Sequence, residues 1–154
     1  MTRIAFSSDH AGYLLKDELL ALARAKGFEV LDLGVNDGNS VDYPDMADML
    51  AAALADGRAG IGVIVCGSGI GISIAANRHR HIRAALCHDV TTARLAREHN
   101  DANVLALGAR TTGIAVARDC LEVFLSTPFE GGRHARRVAK LSGLAVAGDR
   151  PPAV

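Results

Sequence analysis

The sequence carries no surplus of charge, because its 17 basic residues are matched by 17 acidic ones for a formal net charge of zero. Such a chain offers no general attraction to nucleic acid or to an anionic membrane, and partners of those kinds are not expected. Long apolar runs are missing as well. The first residues, MTRIAFSSDH, turn polar soon after Ile4, Ala5 and Phe6, and no later stretch supplies ~20 uninterrupted apolar residues, so neither a secretory leader nor a spanning helix is read. Cysteine is scarce: Cys66, Cys87 and Cys120 are odd in number and form no CxxC pair, which excludes a disulfide framework and a zinc knuckle. Free thiols in the reducing cytoplasm are the expectation. Internal repeats and low-complexity linkers are absent too. What remains, 154 residues of which 49% are hydrophobic, suffices for one domain with a substantial core but not for two.

Short apolar runs alternate with longer amphipathic stretches, the order of an α/β domain built on a parallel sheet. Five runs read as strands: Ile4–Phe6, Phe28–Leu33, Ile61–Cys66, Ala84–Cys87 and Val104–Leu107. The second partly alternates apolar with acidic residues, as at a sheet edge, whereas the third is apolar apart from Gly62 and reads as a central strand buried on both faces. Helices are expected over about 12–25, 43–55, 72–77, 91–98, 112–125 and 132–141. In the first of these Leu15, Leu19 and Leu22 fall at helical spacing, while Lys16, Asp17 and Arg24 are read as facing water. The domain is placed at residues 1–145, with 146–154, polar and containing Pro151 and Pro152, as a loosely ordered tail.

In an open parallel sheet, ligands bind beyond the carboxyl ends of the strands. There this sequence is polar: Ser7-Ser8-Asp9-His10, Cys66-Gly67-Ser68-Gly69-Ile70-Gly71, His88-Asp89 and Gly108-Ala109-Arg110. The glycines let backbone N–H groups converge at a helix amino terminus, which favours an anion. Named glycine motifs fail, because a P-loop and GxGxxG both need Gly where Ile72 stands, and a CxxxxxR phosphatase loop needs Arg there. A thiol at the entrance of such a loop is favoured as thiolate and serves as base or nucleophile, although a cysteine ending an apolar strand reads equally well as a small buried hydrophobe. Cys87 and Cys120 are read as packing residues. His10 and His99 lie near strand ends, where imidazole exchanges protons at neutral pH. His79 and His81 fit a solvated basic turn, and His134 an arginine-rich helix face. Arg133 and Arg137, four apart, share a face suited to one phosphate or simply to solvent.

Taken together these segments resemble the type B ribose-5-phosphate isomerases, a family that includes allose- and galactose-6-phosphate isomerases. The resemblance runs from Arg3 to about Leu141 through Asp9-His10-Ala11-Gly12, Asp42-Tyr43-Pro44, the stretch from Cys66 to Asn77, His99-Asn100-Asp101-Ala102-Asn103, Gly108-Ala109-Arg110 and Glu130-Gly131-Gly132-Arg133-His134. It implies a three-layer α/β/α, Rossmann-like domain and a conversion of ribose 5-phosphate to ribulose 5-phosphate through a cis-enediolate, as in the pentose phosphate pathway, without metal or cofactor. Cys66 is implied as the base, Ser68 as the hydroxyl passing a proton between O1 and O2, and His99 as the group assisting ring opening. The amides of Gly67, Ser68, Gly69, Ile70 and Gly71 are implied to hold the enediolate, Asp9 and Asn100 sugar hydroxyls, and His10, Arg110, Arg133 and Arg137 the phosphate, with Tyr43 lining the pocket. A homodimer with shared active sites is implied, with tetramer formation left open.

The sequence departs from the family at two points: Ser7 stands where glycine is frequent, and Ser68 lacks the methyl of the usual threonine. Some relatives carry the base on a glutamate further along, where this chain has Ile72 and Ser73. Two other functions are weighed, isomerisation of another sugar phosphate such as allose 6-phosphate, galactose 6-phosphate or a tetrose phosphate, and a non-catalytic module that binds a phosphate ligand.

Overall fold

The computed structural model describes residues 2–143, so the tail expected from 146 onward lies outside the described residues. Five strands, β1 (Ile4–Ser8), β2 (Val30–Asp32), β3 (Ile61–Cys66), β4 (Ala84–Leu86) and β5 (Val104–Gly108), form one parallel sheet in the order β2-β1-β3-β5-β4. The two short strands of polar or half-buried residues sit at the edges, and the apolar β3 sits at the centre, as its continuous run requires. The register sets Cys66 beside Gly108 and Ser8 beside Val65, so the polar segments after β1, β3 and β5 emerge together at one end of the sheet.

Strand alternation sends side chains to two cores. On one face Ile4, Phe6, Val63, Val65, Leu105 and Leu107 pack against helices α1 (Tyr13–Ala25), α4 (Val90–Asn100) and α5 (Ile114–Ser126). On the other, Ala5, Ile64, Cys66, Val104 and Ala106 meet α2 (Tyr43–Ala55) and α3 (Ile70–Ala76). These are the three layers expected. The last helix, α6 (Arg133–Leu141), packs on α4. Among the described residues no helix is long and apolar enough to cross a membrane.

One sequence expectation fails. Lys16 does not face water; it is fully buried, and its Nζ donates to Asp32 Oδ1 at 2.7 Å and Asn36 Oδ1 at 2.9 Å and lies 3.0 Å from Asp17 Oδ1. Burying an ammonium is tolerated because it is paired and hydrogen-bonded. α3 starts at Ile70, two residues before its expected start, since Gly69 in the left-handed region (φ 77°) turns the chain directly into it.

Candidate active site

The glycine segment after β3 forms one wall of a cleft of about 320 Å³ lined by Asp9, His10, Ala11, Tyr43, Cys66, Gly67, Ser68, Gly71, Arg110 and Thr111. Cys66, only 4% exposed, sits at the end of the central strand, and its Sγ accepts the Gly69 N–H at 3.1 Å. The sulfur therefore sits at the mouth of the turn with a backbone donor directed at it. Ser68 Oγ accepts the Ile70 N–H at 3.2 Å, so two amides of the turn are engaged by the turn's own side chains. Gly71 leaves room for a neighbour: a Cβ there would lie 2.6 Å from the Tyr43 ring, which closes over the turn from the first residue of α2.

The segment after β1 is held by Asp9, whose buried Oδ1 accepts the N–H groups of Ala11 at 2.9 Å and Gly12 at 3.1 Å. His10 Nδ1 accepts the Val41 N–H at 3.3 Å, which assigns the ring proton of the neutral form to Nε2 and leaves that nitrogen a donor. Arg110 is joined to the loop through its N–H to the Gly67 carbonyl at 2.9 Å. Thr111 and Ala11 also line the cleft and were not singled out from the sequence; both directly follow segments that the strand-end rule selects.

The other predicted residues lie elsewhere on the chain. Asn100, the last residue of α4, lines a cleft with Asn77, Arg83 and Leu141, whereas Arg133 and Arg137 line a third with Arg136 and Lys140. His99 stacks on His134 with ring centroids 4.3 Å apart and planes 13° from parallel. None of His99, Asn100, Arg133 and Arg137 lines the Cys66 cleft. His134 lies on the arginine-rich helix α6, as read from the sequence, and its own side chain is buried against α4. His79 is likewise paired, with Asp48 Oδ1 at 2.7 Å, and His81 Nε2 meets the Ala51 carbonyl at 2.8 Å.

Among the described residues His99, Glu130 and His134 bring three potential ligand atoms within 4.8 Å of one another, a grouping the sequence did not reveal. Stacked imidazoles confine their in-plane lone pairs to two nearly parallel planes, so they do not converge on one ion at the ~2.0 Å that zinc requires. The remaining cysteines behave as packing residues. Burial pushes the Cys87 and Cys120 thiols up to about 11, which keeps both protonated at neutral pH.

Residues 4–141 match the family model described as Ribose/Galactose Isomerase. The chain belongs to this family. The isomerase is 42% identical to ribose-5-phosphate isomerase B of Escherichia coli, over 94% of this chain and 97% of that one. It is 41% identical to D-erythrulose-4-phosphate isomerase of Pectobacterium atrosepticum, over 92% and 93% of the two chains. Among solved structures, ribose-5-phosphate isomerase B of Clostridium thermocellum shares 47% identity and superposes with a TM-score of 0.90, over 92% of the isomerase and 95% of that chain.

Proposed function

We propose that this isomerase interconverts ribose 5-phosphate and ribulose 5-phosphate, with Cys66 as the base. The observation that carries the reading is the Cys66 thiol at the head of the cleft with the Gly69 N–H at 3.1 Å from sulfur. The thiolate takes the proton from C2 of the open-chain aldose, the electron pair moves into the C1–C2 enediolate, and the resulting thiol returns the proton at C1. Protons on O1 and O2 exchange through the Ser68 hydroxyl. The amides of the Gly67–Gly71 turn stabilise the enediolate, each such donor being worth roughly 10²- to 10³-fold in rate. Ile70 N–H becomes available to substrate when it leaves Ser68 Oγ. Asp9, whose Oδ1 is engaged by the loop, offers Oδ2 to a sugar hydroxyl, Tyr43 bounds the pocket, and His10 donates through Nε2 to the phosphate beside Arg110.

His99, Asn100, Arg133 and Arg137 complete the site from a second copy of the chain, His99 opening the sugar ring, Asn100 holding a hydroxyl and the arginines the phosphate. Support for a homodimer comes from the separation of these residues from the Cys66 cleft and from an apolar surface beside it, where Ile70, Ile74, Met49 and Tyr43 are each at least 41% exposed. The reduced thiol suits a cytoplasmic enzyme of the pentose phosphate pathway.

Cys66→Ala is the test. It is expected to abolish isomerisation while calorimetry still detects sugar phosphate binding; a variant retaining more than about a tenth of wild-type kcat would exclude Cys66 as an essential base. The tetrose phosphate isomerase among the relatives supports a second reading, in which a four-carbon substrate is preferred. Comparing kcat/KM on four-, five- and six-carbon aldose phosphates decides between them.

A further inference from the structure

The geometry points to His134 as a positioning residue for ring opening, a platform that fixes the imidazole of His99. Rotation of a histidine ring about χ2 is soft, so the direction of its nitrogens is set by whatever the ring rests on. His99 is half-buried in the last turn of α4, and what it rests on is the His134 imidazole, stacked at 4.3 Å and within 13° of parallel. The platform is itself fixed. His134 is 7% exposed, and the loop leading to it is tied to α4 by the Glu130 N–H donating to the Glu98 carbonyl at 3.1 Å and by Arg97 Nε donating to the Thr127 carbonyl at 3.3 Å.

Two groups meet His134 Nε2, Arg133 Nε at 3.4 Å and Glu130 Oε2 at 3.5 Å, and one nitrogen cannot accept from the first while donating to the second. Burial, the adjacent His99 ring and the Arg133 guanidinium outweigh Glu130 and push the His134 pKa down, so the neutral ring accepting from Arg133 is the working form. A neutral platform stacks on His99 without opposing a charge on it. Arg133, proposed above to grip phosphate, thus bears on the same imidazole that orients the ring-opening group, and the three residues form one chain of contacts from phosphate to sugar ring.

This inference rests on the proposed role of His99, and a double-mutant cycle separates the two. Steady-state kinetics with ribose 5-phosphate are measured for His134→Gln, which retains an acceptor for Arg133 but has no ring, for His134→Phe, which retains the ring alone, for His99→Asn, and for each His134 change combined with His99→Asn. Circular dichroism and thermal melts establish which variants are folded. His134→Gln is expected to lose about tenfold to a hundredfold in kcat with KM within about twofold, the scale of a misplaced catalytic group. His134→Phe should recover most of that loss, and neither change should lower kcat further once His99 is Asn. Wild-type kcat in folded His134→Gln, a loss confined to KM, equal losses in the Gln and Phe variants, or losses that multiply with that of His99→Asn would each overturn the inference while leaving the role of His99 standing. Wild-type kcat in His99→Asn would overturn both.

Discussion

Gly71 shows how a single missing side chain shapes the cleft. Its position inside α3 is helical, so alanine suits the backbone and gains up to about 1 kcal/mol of helix propensity. A Cβ would nevertheless lie 2.6 to 2.9 Å from the distal atoms of the Tyr43 ring, which must shift to make room. Gly71→Ala is therefore expected to preserve thermal stability but to remove the tyrosine wall of the pocket, raising KM roughly tenfold through lost positioning of substrate. Unchanged KM in kinetic assays would show that Tyr43 does not bound the bound sugar. The same scale separates the three cysteines. Cys66 has a backbone donor on its sulfur and opens onto the cleft, whereas burial is the largest influence on Cys87 and Cys120, reinforced by nearby Asp89, and keeps both as protonated, inert thiols.

Among the elements, α1 is the instructive one. Its periodicity already places position 16 beside Leu19, Leu20 and Ala23 on the buried face; only the charge of Lys16 argued for solvent. The conflict is resolved by Asp32 at the end of β2 and by Asn36 beyond it, which receive the ammonium and fasten the edge strand to the helix. Lys16→Met retains the volume and removes the charge, leaving the Asp32 carboxylate with its Gly34 N–H but without its cation. A destabilisation on the order of 2 kcal/mol is expected in urea unfolding, moderated because Asp32 is partly solvated. A variant as stable as the wild type would show that the buried pair serves register without adding net stability.

At the scale of the whole molecule, the chain presents the Cys66 cleft in one place and His99, Asn100, Arg133 and Arg137 around α4 and α6 in another. If a two-fold dimer unites them, a Cys66→Ala chain and a His99→Asn chain rescue each other, since one site of a mixed dimer carries both lesions and the other neither. Random remixing makes about half the dimers mixed and half of their sites intact, so roughly a quarter of wild-type activity should return after co-refolding. Each variant refolded alone provides the baseline. No recovery despite demonstrated subunit exchange would mean that Cys66 and His99 act within one chain.

The features legible in the sequence are those governed by near neighbours along the chain. The apolar run of β3 identified a central strand, the shorter and more polar β2 an edge, and the strand-end rule led to Asp9, His10, Cys66, Ser68 and Arg110, which the fold brings into one cleft. Spacing along the chain conveys periodicity, and periodicity determines which residues end a strand or begin a helix. Tertiary structure alone decided what faces those residues. Lys16 is buried because Asp32 and Asn36 arrive from another element, His134 is buried because the loop after α5 folds back onto α4, and Gly71 matters because the start of α2 lies over it. Charge at a single position says how costly burial is, but only the partner brought from a distance determines whether burial is tolerated.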